Sequence, residues 1–214
     1  GVAQAWLILE LTDSGSYLGI VTALQFLPTL FFSISGGKIA DKFNKRKVLM
    51  FTNLTGGLSA LSVGTLVLTE NIKIWHVMFF AFTLGMGNAI DAPVRQSFNV
   101  EVVGKADLPN AVGLNSANFN TGRLIGPGLS GLLIAAYGTG VSFVLNGISY
   151  LIVIVALLNI RESDLFREER KSSSTQIREA LRYVKARPDI LSVMITVFFA
   201  TSFGLNFNIF NTMM

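Results

Sequence analysis

The feature that most constrains this chain is a succession of apolar runs at roughly 17–35, 48–69, 74–94, 109–136, 140–159 and 190–214, preceded by a shorter one at 1–11. About 20 apolar residues suffice to carry a helix across the hydrocarbon core of a bilayer. No water is at hand there to satisfy backbone groups, so only helices and closed barrels span it. Barrel strands would be about half as long and would alternate with period two; these runs do neither. Composition agrees. The chain is 51% hydrophobic and 14% charged, whereas a soluble domain carries about 25% charged residues. A soluble all-α protein with unusually buried helices is set aside on both counts. The sequence predicts an all-α integral membrane protein, with the lipid bilayer as its first partner.

The breaks between runs carry turn chemistry or charge: TDSGS, GGKIADKFNKRK (36–47), TENIK, the stretch 95–108, YGTG and the polar stretch 160–189. If the spans alternate in direction, 36–47, 95–108 and 160–189 share one side and hold five, two and eight Lys/Arg; the other side holds only Lys73. The positive-inside rule assigns the first group to the cytoplasm. The first run is too short to span, the chain opens on Gly1, and it breaks off in the apolar NIFNTMM. The expectation is therefore a piece of a longer protein. A transmembrane bundle at 1–159 would hold helices 1–6, the first incomplete. A cytoplasmic central loop at 160–189 and an incomplete helix 7 at 190–214 would follow. Within the loop, Ser173 and Gln176 form a capping-box pattern ahead of Ile177, Ala180, Leu181 and Val184 at helical spacing. A short amphipathic helix ending at Arg187-Pro188 is expected there, as a covered connector or a lateral latch.

Several chemistries have no support. There are no cysteines, hence no disulfide framework or thiolate metal site. One histidine, His76, cannot build a metal centre alone, and beside Trp75 it reads as an interfacial anchor. No nucleophile–base pair is visible, so no enzyme activity, metal or cofactor is expected. No targeting pattern is visible either. The net charge of +4 is concentrated in the breaks, and no nucleic-acid partner is expected.

Residues Gly37 to Arg46, GKIADKFNKR, resemble the helix 2–3 loop signature of the major facilitator superfamily: glycine, three residues, aspartate, a cation, one residue, glycine, two cations. Asn44 stands for the second glycine, and Asn enters left-handed conformation more readily than most residues. Lys45 stands for an arginine, keeping charge but losing the planar fork. A second resemblance lies in NAVGLNSANFNTGRLIGPGLSGLL. There Gly113, Gly122, Gly126, Pro127 and Gly131 fit the helix 5 pattern of the superfamily's exporters, with Ser130 the single departure. ILELTDS, GNAIDAPVRQSFNVEVVGKADLPNAVGLNSANFNTGRLIGPGLSG and EALRYVKARP are similar to one branch, that of the bacterial enterobactin and macrolide exporters, known as transmembrane secretion effectors. The resemblance covers essentially the whole chain. It implies a twelve-helix fold in two halves, a central cavity and export driven by the proton gradient without a cofactor.

On a helical wheel at about 100° per residue, Asn115, Asn118, Gly122 and Gly126 share one face. Small and amide residues permit close helix approach and interhelical hydrogen bonds. The face reads equally as a seal between the two halves and as ordinary packing. In helix 3 the stripe Gly56, Ala60 and Gly64 reads as packing. Pro28 and Pro127 fall at matching places in the two three-helix repeats, where interrupted helices can mark moving parts. Arg123 lies near the middle of helix 5, where an arginine costs about 2.5–3.5 kcal/mol on insertion scales. It is expected to face the bundle interior with an acidic or carbonyl partner, as a proton-coupling or substrate contact or a structural ion pair. Glu10, Asn115 and Asn118 are the further coupling or substrate candidates. Glu10 lies near the outer end of helix 1 and Asp91 near the inner end of helix 4, and the sequence does not single out either as the partner of Arg123. Asp91, with Arg95 one turn on, is expected within reach of Lys45 and Arg46. The resemblance then implies that Asp41, Lys42, Lys45, Arg46, Asp91 and Arg95 form an inner charge latch; the alternative is that these charges set topology and snorkel at the interface.

The expected function is export of a small amphiphile, drug-like or siderophore, by proton antiport in the bacterial cytoplasmic membrane, with the other half of the transporter as partner. An uptake symporter on the same fold is the nearest rival. A membrane scaffold or receptor is the alternative from another class, and for that a mid-membrane arginine would be needless.

Overall fold

Every regular element among the described residues of the computed structural model, 2–166, 183 and 187–200, is helical. The elements are α1 (Val2–Thr12), α2 (Gly15–Lys42), α3 (Lys45–Leu68), α4 (Ile74–Val103), α5 (Leu108–Asn159), a 3-10 turn (Glu162–Asp164) and α6 (Pro188–Phe199). Gly15–Ser33 of α2 and the helices α3, α4 and α5 each contain an apolar stretch long enough to cross a membrane. The chain divides into two units, Gly1–Glu169 and Arg170–Met214. The amphipathic helix expected around Ser173–Val184 lies outside the described residues, apart from Tyr183. In the second unit α6 opens on Pro188, a residue suited to a first helical turn. It covers the start of the seventh expected span, and Arg187 grips Asp189 at 2.8 Å beside it.

A single rod of 52 residues would run about 78 Å, far beyond a bilayer core of about 30 Å. α5 therefore breaks at Gly138, whose φ of 79° and ψ of 173° leave the helical region. A side chain there would be strained, which is why glycine occupies the break. The break gives α5 a first arm, 108–137, and a second, 139–159, matching the two spans expected on either side of YGTG. The second arm runs antiparallel to α3. Gly140 faces Leu68, Gly147 faces Leu61, and Gly56 lies under the ring of Tyr150. Gly56, Ala60 and Gly64 are buried, and Gly64 meets Val144 and Gly140.

α2 packs chiefly on α4 through the same device. A Cβ on Gly36 would collide with the carbonyl of Ala89, and one on Gly85 with the carbonyl of Gln25. Pro28 is fully buried beside Gly85. It leaves α2 helical, because tertiary packing holds the segment. One apolar cluster joins Leu7, Ile8, Val21, Val63, Val77 and Ala81. A second joins Ala40, Leu49, Val94, Phe98 and Leu157 at the end where α2 meets α3.

Two of the expected breaks shrink. α2 continues to Lys42, so only Phe43 and Asn44 link it to α3. α4 continues through Pro93 to Val103, leaving Gly104 to Asp107 as the link to α5. Hydropathy marks where lipid ends; a helix that closes its own hydrogen bonds continues into water. Asn44 also differs from expectation: its φ is −62° and its ψ 111°, not left-handed. It caps α3, its side-chain oxygen accepting from the Lys47 N–H at 3.3 Å, a role for which Asn is well suited.

The helix contacts predict opposite signs for two glycine substitutions in α2 and α4. Gly85→Ala drives a methyl into the Gln25 carbonyl and is expected to cost about 1–3 kcal/mol. Gly19→Ala, which meets open space, is expected to stabilise by up to about 1 kcal/mol. Thermal unfolding of the purified protein in detergent measures both; equal effects would contradict the α2–α4 contact.

Candidate functional site

Asp91 is the acid that the first unit holds farthest from its helix ends and still half-buried, and four donor groups account for it. Arg95, one turn on, grips the carboxylate with both arms: Nε to Oδ2 at 2.7 Å and an Nη to Oδ1 at 3.0 Å. Acid before cation at i,i+4 is the favourable order on a helix, and the planar fork makes the pair bidentate. From α3, Thr52 Oγ1 donates to Oδ1 at 2.7 Å and Asn53 Nδ2 approaches it at 3.4 Å. Thr52 and Asn53 are both buried. The group borders a cavity of about 170 Å³, also lined by Thr55, Asn88 and Tyr150. The volume has room for a few waters, each taking about 30 Å³.

The expected pairing of Asp91 with Lys45 or Arg46 is not what the structure shows. Lys45 Nζ meets Glu101 Oε1 at 2.5 Å. Arg46 Nη2 donates to the Leu158 carbonyl at 2.8 Å, and its Nη1 lies 4.0 Å from Glu162 Oε1. The reason is length: α4 runs on past Asp91 to Val103, and Glu101 stands ten residues further, about 15 Å along the axis. The start of α3 therefore meets the end of α4 and not its middle. Gly37 is half-buried in α2, while Asp41 and Lys42 are exposed in its last turn. Lys42 lies over the Phe43 ring, 5.7 Å from its centroid.

Arg123 also departs from expectation. It is exposed, with its guanidinium over the Phe119 ring at 5.8 Å, and among the described residues no carboxylate or carbonyl pairs with it. The first arm of α5 presents an open face. A Cβ added at Gly113, Gly122, Gly126 or Gly131 would meet nothing within 4 Å, and Pro127 is exposed. Asn115 and Asn118 line a groove of about 450 Å³ with Asn99 of α4. Gly126 lines a second cavity of about 390 Å³ with Ser59, Leu84 and Tyr150. The shared face of Asn115, Asn118, Gly122 and Gly126 thus opens on space among the described residues.

Glu10 stands at the other end of the unit. It accepts from Trp6 Nε1 at 2.7 Å and from Thr139 Oγ1 at 3.4 Å, beside the Gly138 break. His76 stacks on Trp75 at 3.6 Å, and its Nδ1 accepts the Lys73 N–H at 3.0 Å. Among the described residues no group of His, Asp and Glu is placed to hold a metal ion. Glu101, Glu162, Thr52 and Asn53 were not singled out by sequence. The available signal was weak: a lone acid in VEVV and a polar pair inside the apolar run of α3.

The model of the transmembrane secretion effector family matches residues 1–207. A staphyloferrin A transporter of Staphylococcus aureus is 27% identical over 204 residues, 94% of this chain and 51% of its own length. The multidrug efflux pump Tap of Mycolicibacterium fortuitum is 32% identical over 142 residues, covering 64% of this chain and 35% of the pump. Multidrug resistance protein 2 of Bacillus subtilis is 28% identical, covering 90% and 48%. The chain therefore spans about half the length or less of these relatives, and none of them carries an enzyme's name. No solved structure matches it. With its membrane-length helices and a family match across nearly its whole length, the chain belongs to the transmembrane secretion effectors of the major facilitator superfamily and is a multi-pass membrane protein.

Proposed function

We propose that the protein is a secondary active exporter, moving a small amphiphile, drug-like or siderophore, out of the cell by proton antiport through alternating access. The observation that carries this reading is the family match over residues 1–207, joined to relatives named as multidrug efflux pumps and a siderophore transporter. Substrate and proton would be handled with the other half of the transporter, since central sites of such proteins form between repeats. Asp41 and Lys42, exposed at the end of α2, are the proposed gate charges toward that half. The Asp91–Arg95 pair is the proposed polar element of the first unit. Arg123 and the open face of Asn115, Asn118, Gly122 and Gly126 are the proposed contacts to substrate or to the other half. The bacterial cytoplasmic membrane is the proposed location, with the ends at 43–44, 104–107 and 160–189 inside.

Export is tested with the full-length protein in everted membrane vesicles. An imposed inside-acid gradient is expected to drive accumulation of a fluorescent amphiphile, and a protonophore to abolish it. Accumulation that survives the protonophore would rule out proton coupling, and inward movement in intact cells would establish the uptake rival instead.

Sidedness has its own test in this cysteine-free chain. In intact cells, a cysteine at Asn71 is expected to react with an impermeant thiol reagent, and one at Ala106 only after permeabilisation. The reverse pattern would invert the assignment.

Asp91 is expected to matter through Arg95 and the α3 donors. Asp91→Leu takes the carboxylate from the fork of Arg95 and leaves buried Thr52 and Asn53 only their bonds to the Leu49 carbonyl, and should cost about 1–3 kcal/mol. Asp91→Asn keeps one acceptor and should cost less, while lowering proton-driven export. Equal stability and export in both variants would reduce the network to an incidental contact.

A further inference from the structure

At the end of the first unit where α2 meets α3, four pieces of chain are tied together. Lys45 holds Glu101 in the last turn of α4, with side chains only 11% and 17% exposed. Arg46 donates to the carbonyl of Leu158, one of the last four of α5. Those carbonyls have no partner within the helix, and a cation there also offsets the negative end of the helix dipole. Asn44 Nδ2 donates to Glu162 Oε1 at 3.2 Å, and Arg46 stands 4.0 Å from the same oxygen. The chain leaving α5 then turns back across α4: the Phe166 N–H donates to the Glu101 carbonyl at 2.7 Å. The Phe166 ring covers Gly104 so closely that a Cβ there would come within 3.3 Å of it. Beneath these bonds, Ile160 and Leu165 pack on the buried cluster of Ala40, Leu49, Val94, Phe98 and Leu157.

Resting on the alternating-access reading, we propose that this ring is a static clamp: Lys45–Glu101 and Arg46 with Leu158 and Glu162 stay closed throughout the transport cycle, and the clamp positions the segment that leaves α5. A gating contact must join bodies that move relative to one another. Every partner in this ring belongs to the same packed unit, so a rigid-body motion of that unit leaves all of them intact. Opening Lys45–Glu101 would also strand two largely buried charges, a change far more costly than a transporter's small gap between states. Lys45 and Arg46 therefore hold the unit's end together, and Glu101 and Glu162 are positioning residues for the 160–166 strap.

The test uses the full-length protein, with Lys45→Cys and Glu101→Cys joined by a short, reducible thiol cross-linker. The cross-linked transporter is expected to export within twofold of the same variant after reduction. A tenfold loss on cross-linking that reduction reverses would make the contact a moving gate and overturn the clamp. A second arm reads thermal unfolding in detergent. Glu101→Lys alone is expected to lower the midpoint by at least about 4 °C, and adding Lys45→Glu to recover most of the loss. No recovery would remove the direct pair. If the unmodified protein fails to export, the transport reading falls, while the charge-swap arm still decides whether the clamp exists.

Discussion

A backbone amide in hydrocarbon has no water to turn to, and each unpaired group would cost several kcal/mol. That constraint makes the membrane-length stretches of α2 through α5 helical before any side-chain contact is made. It leaves the fold to be decided by how closely the helices approach. Apolar side chains gain little by leaving lipid for one another, so van der Waals fit carries much of the association. Glycine supplies that fit at Gly36 and Gly85 between α2 and α4, and at Gly56, Gly64, Gly140 and Gly147 between α3 and the second arm of α5.

Charge obeys the same constraint. Lys45, Glu101, Arg46 and Glu162 gather at one end of the unit, where the helices outrun the apolar stretches. Asp91 is tolerated farther in because Arg95, Thr52 and Asn53 together occupy its carboxylate. Removing the acid would take both arms of Arg95 off their acceptor, while Thr52 and Asn53 would keep the Leu49 carbonyl. The polar cavity beside it, reached by Asn88 and Tyr150, is where a change in charge would first be felt. Arg123 marks the contrary case: an exposed cation on an apolar arm, resting on the face of Phe119.

Much of the architecture was legible in the residues. The helical class, the turn at YGTG and the family were each visible as length, glycine or motif, because each depends on local composition. The charged contacts were less legible. Asp91 and Lys45 are close in a topology sketch, but α4 keeps its helix for another three turns beyond Asp91, and that extension moves the meeting point to Glu101. Helix continuation past the lipid boundary leaves no hydropathy signal. Asn44 shows the same limit at the scale of one residue: the motif suggested a left-handed substitute for glycine, and the fold uses it as a cap.

By itself the sequence determined the all-helical membrane class and membership of the superfamily. The class follows from hydrocarbon thickness and backbone bonding, which act on each segment separately, and the membership from motifs that are local in the chain. Only the tertiary structure decided which acid meets which cation, that the expected α2–α3 loop is mostly helix, and that Arg123 stands exposed over Phe119. Those outcomes depend on where each helix stops and how far it stands from its neighbours, and glycine contacts spread over distant parts of the chain set that spacing.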